Sequence, residues 1–269
     1  MISFLRKTIA FMKRDFRIAT SYPLAFFLGM GGIFFSVLVW FFLSRMMNQV
    51  HMKDLDRYGG YFAFVIVGIA LQNYLAVAMG GLTRSIRESQ MLGTLEMLLA
   101  TPTGLPTIVF ASSITPFIVT TLRILVYFLF GAFWGVTFHV ADPMALVLAV
   151  VLSILSFATF GIFSASVILV VKRGDPVALL VGAFSTLLSG IYYPVRVLPG
   201  WLQQVAWFVP VTHAAEAWRD LVLSGATFSQ VSGHLAWLAA FTALFLPLSL
   251  LSFGYAIRLA RLHGTLAHF

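Results

Sequence analysis

Long uncharged stretches of apolar residues recur along this chain of 269 residues and narrow its possible folds sharply. A helix needs about 20 consecutive apolar residues to cross the hydrocarbon core of a bilayer. Six stretches reach or approach that length, allowing for tilt. They cover residues 24–44, 61–82, 107–137, 144–171, 177–193 and 235–257. The sequence therefore predicts a polytopic membrane protein with six transmembrane segments.

These segments are predicted to be helices, because an isolated strand cannot satisfy its backbone hydrogen bonds in lipid. The period-2 alternation of a membrane β-barrel is absent from the sequence. Only 10% of the residues are charged, whereas an average soluble domain has about 25%. Disorder and an ordinary cytosolic enzyme are thereby excluded. We expect one all-α domain over residues 1–269, since six spans leave no room for a second globular domain.

The net charge of +8 has two readings, nucleic-acid binding or membrane topology. Basic residues collect on the cytoplasmic side of membrane proteins. With six spans and the N-terminus inside, eleven Lys and Arg residues lie inside and five outside. Topology therefore explains the charge better, and no nucleic-acid partner is expected. We predict a multi-pass protein of the plasma membrane, the inner membrane of a prokaryote, with both termini cytoplasmic.

Residues 2–20 are predicted to form an amphipathic helix. At about 100° per residue, the apolar side chains fall on one face and the basic ones on the other. Such a helix lies flat in the interface, with its cations at the lipid headgroups. A targeting peptide is the alternative, and no cleavage signal follows to support it. The basic face consists of Arg6, Lys7, Lys13, Arg14 and Arg17.

The loop after the second span is predicted to contain a short helix at about 94–100. A single straight helix fails here, because Arg84 and Arg87 would share a face with apolar residues. A break at Gly93 resolves the conflict, with Thr94 as N-cap and Pro102 after the last turn. From the residues alone, a helix that docks on a partner and a plain connection are equally supported.

The segment before the last span is apolar and broken by prolines. Two short helices fit it, at about 200–208 and about 213–223, with Thr212 as N-cap of the second. The exposed apolar surface of such helices belongs in the outer leaflet or against a partner subunit, with Trp at the interface. Glu216 and Arg219 are three residues apart on the second helix and can pair. Simple packing is the alternative role for any one of these residues.

Three polar residues lie within predicted spans. Arg123 is costly in lipid, so we expect it to face the bundle interior, the headgroups or a subunit interface. Gln72 and Asn73 favour interhelical hydrogen bonding over substrate contact. A position on a substrate path remains the alternative for all three.

Motifs of enzyme chemistry are missing from the sequence. It has no Gly-x4-Gly-Lys-Ser/Thr phosphate loop, so the chain cannot cradle ATP by that motif. It has no His-Glu-x-x-His pair, no Gly-x-Ser-x-Gly elbow and no cysteine. The six histidines are scattered without ligand spacing. We therefore expect no catalytic residue, metal or cofactor on this chain.

Two stretches resemble the ABC type-2 exporter permeases. Residues 93–102 are similar to the coupling-helix motif of that family, and residues 189–219 to its segment before the last span. The resemblance covers nearly the whole chain in order and spacing. It implies ATPase-coupling residues at Gly93, Thr94, Leu95, Glu96, Leu98, Leu99, Thr101 and Pro102. It also implies extracellular re-entrant helices over about 200–223, with gate residues at Tyr192, Tyr193, Pro194, Trp201, Trp207, Pro210, Glu216 and Arg219.

The resemblance also implies partners and a cycle. The chain would be half of a permease dimer, with itself or a related permease, and would bind two copies of a cytoplasmic ABC ATPase that holds ATP and magnesium. Hydrophobic drugs, lipids and lipid-linked glycans are the candidate cargoes. An ion-coupled secondary carrier is the alternative, although no inverted repeat and no carboxylate within a span supports it. A membrane-embedded enzyme is a third possibility, against which the missing motifs count.

Overall fold

The computed structural model describes residues 23–47, 53–91, 105–171 and 175–262, and every regular element in these ranges is helical. The predicted interfacial helix at 2–20, with its five basic residues, lies outside the described residues. So does the predicted coupling helix at 94–100, together with all of residues 93–102.

The described residues form nine α-helices. In chain order they are α1 Pro23–Met47, α2 Lys53–Asp56, α3 Tyr61–Met91, α4 Leu105–Phe133, α5 Pro143–Val171, α6 Pro176–Leu188, α7 Gly200–Phe208, α8 Pro210–Val222 and α9 Phe228–Leu262. A single turn of 3-10 helix, Val195–Val197, precedes α7.

Four helices in the described part are long and apolar enough to cross a membrane. Their apolar segments are Tyr61–Arg84, Pro116–Phe133, Pro143–Val171 and Phe228–Ala260. Two further apolar helices are shorter, Gly31–Met47 within α1 and the whole of α6. For the residues described here, the prediction of an all-helical fold with several spans is therefore confirmed, and four of the six predicted spans have full-length helices.

Helix α3 is the centre of the bundle. In its most apolar window 72% of the residues are buried, against 22–39% in the other three spanning candidates. It packs between α4 and α5, while α9 runs along the other side of α5. Helices α3 and α5 approach very closely at Gly161, where a Cβ atom would lie 1.8 Å from the carbonyl oxygen of Ala78. Only glycine permits this distance.

Several helix ends differ from the predicted spans. The helix predicted to leave the membrane after residue 82 continues to Met91. The span predicted to reach residue 137 ends at Phe133, because Gly135 turns the chain with a φ of 94°. The span predicted to reach residue 193 ends at Leu188, and Gly190 follows with a φ of 68°. In both cases a glycine in the left-handed region ends the helix before the apolar run ends.

The two short helices before α9 are present. Helix α7 has the predicted bounds, Gly200–Phe208. Helix α8 begins at Pro210 rather than near residue 213, so the predicted N-cap at Thr212 is wrong. Proline fits the first helical position, where its fixed φ suits the helix and its missing N–H is not needed. Thr212 lies in the first turn and is buried.

Candidate functional site

A cavity of about 380 Å³ opens at the end of the bundle where α3, α8 and α9 begin. It lies next to the turn that follows α2. We call it the polar vestibule. Aromatic, acidic, basic and histidine side chains share its wall. Its lining consists of Arg57, Tyr58, Phe64, Pro194, Val195, Arg196, Gln203, Trp207, Thr212, His213, Glu216, Asp220 and His234.

Two carboxylates of α8 meet one tyrosine on the wall of the vestibule. The hydroxyl of Tyr58 lies 3.2 Å from an oxygen of Glu216 and 3.1 Å from an oxygen of Asp220. Burial raises the pKa of Tyr58, and the two carboxylates raise it further. The hydroxyl therefore stays protonated and donates to the carboxylates. Arg57 forms an ion pair with Asp220 and lies over the Tyr58 ring, 4.6 Å from its centroid.

Behind this wall, Arg219 is completely buried and joins three segments. Its Nε donates to the carbonyl of Phe64 at 3.2 Å, and its Nη2 donates to the carbonyls of Gly190 and Ile191 at 2.8 and 3.0 Å. The guanidinium lies 3.5 Å from the centroid of the Phe64 ring. Burial lowers the pKa of Arg219 to about 10, so the side chain stays charged at neutral pH. It supplies donors to carbonyls that no helix satisfies after α6 ends.

The predicted pairing of Glu216 and Arg219 corresponds to a long contact. The carboxylate oxygen of Glu216 lies 4.0 Å from Nη1 of Arg219, which is beyond hydrogen-bond distance. Within the described residues Nη1 has no hydrogen-bond partner. The pair is therefore electrostatic only, and the carbonyls provide the directional contacts.

Two histidines that are far apart in sequence meet next to the carboxylates. His213 on α8 and His234 on α9 have their Nδ1 atoms 3.0 Å apart. The Nε2 atom of His213 lies 2.6 Å from the carbonyl oxygen of Trp207, which also accepts from the indole of Trp237 at 3.0 Å. Burial lowers the pKa of His213 to about 4. Helices α8 and α9 thus both hold the last turn of α7, whose terminal carbonyls lack partners in their own helix.

The remaining predicted gate residues surround the vestibule without all lining it. Tyr192 stacks on Trp40 with ring centroids 5.1 Å apart, and the hydroxyl of Tyr193 donates to the carbonyl of Leu187. Pro194 lines the vestibule and precedes the 3-10 turn. Trp201 and Trp207 are exposed at 67% and 58%. Pro210 is buried at the start of α8.

The three polar residues of the predicted spans lie away from the vestibule. Arg123 is exposed on α4 in this single chain, so the bundle interior is not its place. Asn73 donates to the carbonyl of Ile69 in its own helix at 2.8 Å. The side-chain oxygen of Gln72 is buried and has no partner within the described ranges.

Sequence reasoning missed several residues of the vestibule. Arg57 and Tyr58 belong to no sequence motif, and the contact between Tyr58 and α8 joins segments more than 150 residues apart. The histidines appeared scattered because spacing along the chain does not reveal a contact between two helices. Asp220 carried a detectable signal, because it lies four residues after Glu216 on an amphipathic helix. Among the described residues no group of three or more His, Asp or Glu side chains has the arrangement of a metal site.

Comparison with known proteins adds the family. The model described as "ABC-2 family transporter protein" matches residues 43–251, most of the chain. The chain belongs to the ABC-2 transporter family. It is an ABC transporter permease and a multi-pass membrane protein.

Two relatives of this ABC-2 permease carry functional names. The chain is 27% identical over 165 residues to the "Probable multidrug ABC transporter permease YbhR" of Escherichia coli strain K12, covering 59% of this chain and 43% of the relative. It is 25% identical over 118 residues to the "Linearmycin resistance permease protein LnrN" of Bacillus subtilis strain 168, covering 44% of this chain and 29% of the relative. The matched region thus spans less than half of the length of these relatives.

Proposed function

We propose that the chain is the transmembrane subunit of an ATP-driven exporter that moves a hydrophobic or amphipathic substrate out of the cytoplasm or the inner leaflet. The family match over residues 43–251 is the observation that carries this proposal. The names of the two relatives, a probable multidrug permease and a linearmycin resistance permease, favour cargo of that kind. Lipids and lipid-linked glycans are also hydrophobic or amphipathic, so they remain candidate substrates.

The proposed arrangement has six spans, with α1 and α6 completing the four full-length candidates. Both termini are cytoplasmic in this arrangement, and the membrane is the inner membrane of a prokaryote. The excess of basic residues on one side, eleven against five, supports this orientation. The polar vestibule and helices α7 and α8 then lie on the outer side, where a substrate leaves.

The proposed complex contains two permease subunits and two ATPase subunits. ATP and magnesium bind to the ATPase subunits, and closure of the ATPase dimer drives the change between inward-facing and outward-facing states. The loop helix at about 94–100 is the proposed lever between the ATPase and the bundle, a rigid element between two bistable parts. The basic helix at 2–20 anchors the permease at the cytoplasmic headgroups.

Co-purification tests the partner. The ATPase encoded beside this permease is expected to co-purify with it from the membrane, and the reconstituted complex is expected to hydrolyse ATP faster when a hydrophobic substrate is added. The purified permease alone is expected to hydrolyse none, since it lacks a phosphate loop. Strong hydrolysis by a preparation free of other subunits would refute the model.

A charge reversal tests the lever. Glu96→Lys is expected to abolish coupling while insertion stays normal, because a carboxylate in the first turn of a helix favours its positive end by up to about 1 kcal/mol. The reversed charge also opposes a groove shaped for an anion. Glu88→Lys, the same change near the end of α3 and outside the 93–102 motif, is the matched control. Export rate and ATPase yield are measured at equal expression, and normal values for Glu96→Lys would remove this helix as the coupling element.

A further inference from the structure

The protonation of the histidine pair follows from its hydrogen bonds. A backbone carbonyl only accepts, so the Nε2 atom of His213, 2.6 Å from the carbonyl of Trp207, must carry a proton. With its pKa lowered by burial to about 4, the ring of His213 is neutral at neutral pH. A neutral imidazole has one proton, so Nδ1 of His213 holds a lone pair.

The lone pair on Nδ1 of His213 determines which nitrogen of His234 carries the proton. Nδ1 of His234 lies 3.0 Å from Nδ1 of His213, so it must donate its proton there. In neutral His234 the other nitrogen, Nε2, is then an acceptor. His234 lines the vestibule, and within the described residues no protein group bonds to this Nε2. The wall of the vestibule therefore offers an imidazole lone pair.

The carboxylates add further acceptor capacity. Each carboxylate has about four lone-pair sites, and the contact with Tyr58 uses one oxygen of Glu216. Arg57 neutralises the charge of Asp220 but forms no ion pair with Glu216. The side chain of Glu216 is 30% exposed, and Nη1 of Arg219 lies 4.0 Å from its carboxylate oxygen. Glu216 thus keeps free acceptor sites that face the cavity it lines.

Most donors on the same wall are already engaged. The Tyr58 hydroxyl donates to the two carboxylates, and three hydrogen bonds of Arg219 end on backbone carbonyls. The amide nitrogen of Gln203 donates to the carbonyls of Arg196 and Leu198. The side chain of Arg196, which has interactions of its own, adds a positive charge at the exposed rim. The free polar atoms of Glu216 and His234 are therefore hydrogen-bond acceptors.

We propose that the polar vestibule binds the head group of the transported substrate through N–H or O–H donors of that head group, with Glu216 and Nε2 of His234 as the accepting atoms. A primary amine and a polyhydroxyl group both supply such donors. The cavity of about 380 Å³ has the size of a small-molecule pocket, and the rings of Tyr58, Phe64 and Trp207 line it beside the polar atoms. This proposal rests on the proposed function, since it names the substrate class of the exporter.

Four probes with the same octyl tail test the proposal: octylamine, octyl glucoside, octyltrimethylammonium and octanoate. They are titrated by calorimetry into the full permease in phosphatidylcholine nanodiscs near pH 8, where imidazole is ordinarily neutral. Empty nanodiscs give the partition of the tail. Octylamine or octyl glucoside is expected to bind about tenfold more tightly than the two probes without donors, the ratio that one hydrogen bond to a charged group provides. Whichever of octylamine and octyl glucoside binds more tightly shows whether the site prefers an amine or a polyhydroxyl head group.

Variants then locate the site. Glu216→Gln is expected to remove the tenfold preference, whereas Asp56→Asn, an exposed carboxyl outside the vestibule, keeps it. Tyr58→Phe releases carboxylate lone pairs and is expected to retain or strengthen the preference, which a merely disrupted fold would not do. The proposal would be overturned if neither octylamine nor octyl glucoside binds more tightly than octyltrimethylammonium, if octanoate binds most tightly, or if Glu216→Gln leaves the preference unchanged.

The permease is tested here without an ATPase, so the two proposals fail separately. If donor-bearing probes bind but no ATPase co-purifies, the proposed binding site stands and the proposed exporter function is refuted. If the ATPase complex works but the probes do not bind in this way, the proposed exporter function stands and the proposed binding site is refuted.

Discussion

Arg219 shows at the scale of one residue how a buried charge holds three segments together. Its donors reach the start of α3 and the two carbonyls that follow the end of α6, while the residue itself belongs to α8. Burying an arginine costs free energy, which these hydrogen bonds and the contact with the Phe64 ring offset. The geometry of a planar guanidinium is needed, because one ammonium cannot face all three carbonyls and also stack on a ring.

Replacement of this arginine by lysine is therefore expected to destabilise the protein although the charge is kept. Arg219→Lys loses hydrogen bonds of a charged group, each worth about 1.5–3 kcal/mol. Arg123→Lys is the control, because Arg123 is exposed on α4. Thermal unfolding in one detergent is the measurement. Equal midpoints for Arg219→Lys and wild type would show that the three contacts contribute no net stability.

His213 adds a pH dependence. Its pKa is about 4 in the folded protein, against an ordinary value of 6.5. Between these values the unfolded chain binds the proton and the folded chain does not, so stability falls as the pH decreases from about 6.5 to about 4. His213→Gln is expected to lack this slope, and His139→Gln outside the histidine pair is expected to retain it. The midpoint of unfolding is measured against pH, and parallel curves for His213→Gln and wild type would contradict the assignment.

At the scale of elements, glycine decides where helices approach and where they end. Gly161 lets α5 contact the backbone of α3, since a Cβ would lie 1.8 Å from the oxygen of Ala78. At Gly182 in α6, by contrast, an added Cβ would have no other atom within 4 Å. The two residues have the same chemistry, and only the distance to the neighbouring helix separates them.

Alanine substitution is expected to act in opposite directions at these two glycines. Gly161→Ala pushes α5 away from α3 and costs about 1–3 kcal/mol, the usual range for overpacking. Gly182→Ala stabilises α6 by up to about 1 kcal/mol, because alanine is the better helix former. The midpoints of thermal unfolding are compared in one detergent. A neutral Gly161→Ala would mean that the helices do not meet at this distance.

The same elements show what the sequence predicts well and what it does not. Apolar runs located the helices, because the cost of lipid around polar groups acts over the whole length of a span. They misplaced the ends of α4 and α6, since Gly135 and Gly190 turn the chain while the residues around them stay apolar. Helix α8 begins at Pro210 rather than near residue 213, because proline at the first helical position prevailed over the N-cap signal of Thr212. Local chemistry of the turn decided each of these ends.

The vestibule was predictable only in part, for a related reason. Glu216 and Arg219 were found because they share one helix, whose spacing the sequence displays. Tyr58, His234 and their contacts with α8 depend on how separate helices pack, which no local spacing records. Sequence analysis therefore missed the residues that come together only through the packing of separate helices.

At the scale of the whole molecule, charge is distributed differently at the two ends of the bundle. At the vestibule end Arg57 is paired with Asp220, and Arg219 is buried against carbonyls near Glu216. At the opposite end Arg84 and Arg258 are exposed. Headgroups of the cytoplasmic leaflet are anionic and attract such exposed basic residues. In the proposed orientation, which rests on the count of eleven basic residues against five, Arg84 and Arg258 lie at the cytoplasmic end and the vestibule lies at the outer end.

Single cysteines test this orientation, and the absence of native cysteine makes the labelling unambiguous. Ser229 is exposed at the start of α9, at the vestibule end, whereas Ser3 lies in the first turn of the helix predicted at 2–20 on the cytoplasmic side. An impermeant thiol reagent applied to intact cells is expected to label Ser229→Cys and to leave Ser3→Cys unlabelled. Permeabilised cells are the control, in which both positions should react. Because eleven basic residues would have to cross the membrane if the orientation were reversed, labelling of Ser3→Cys from outside would refute the topology and the outer position of the vestibule together.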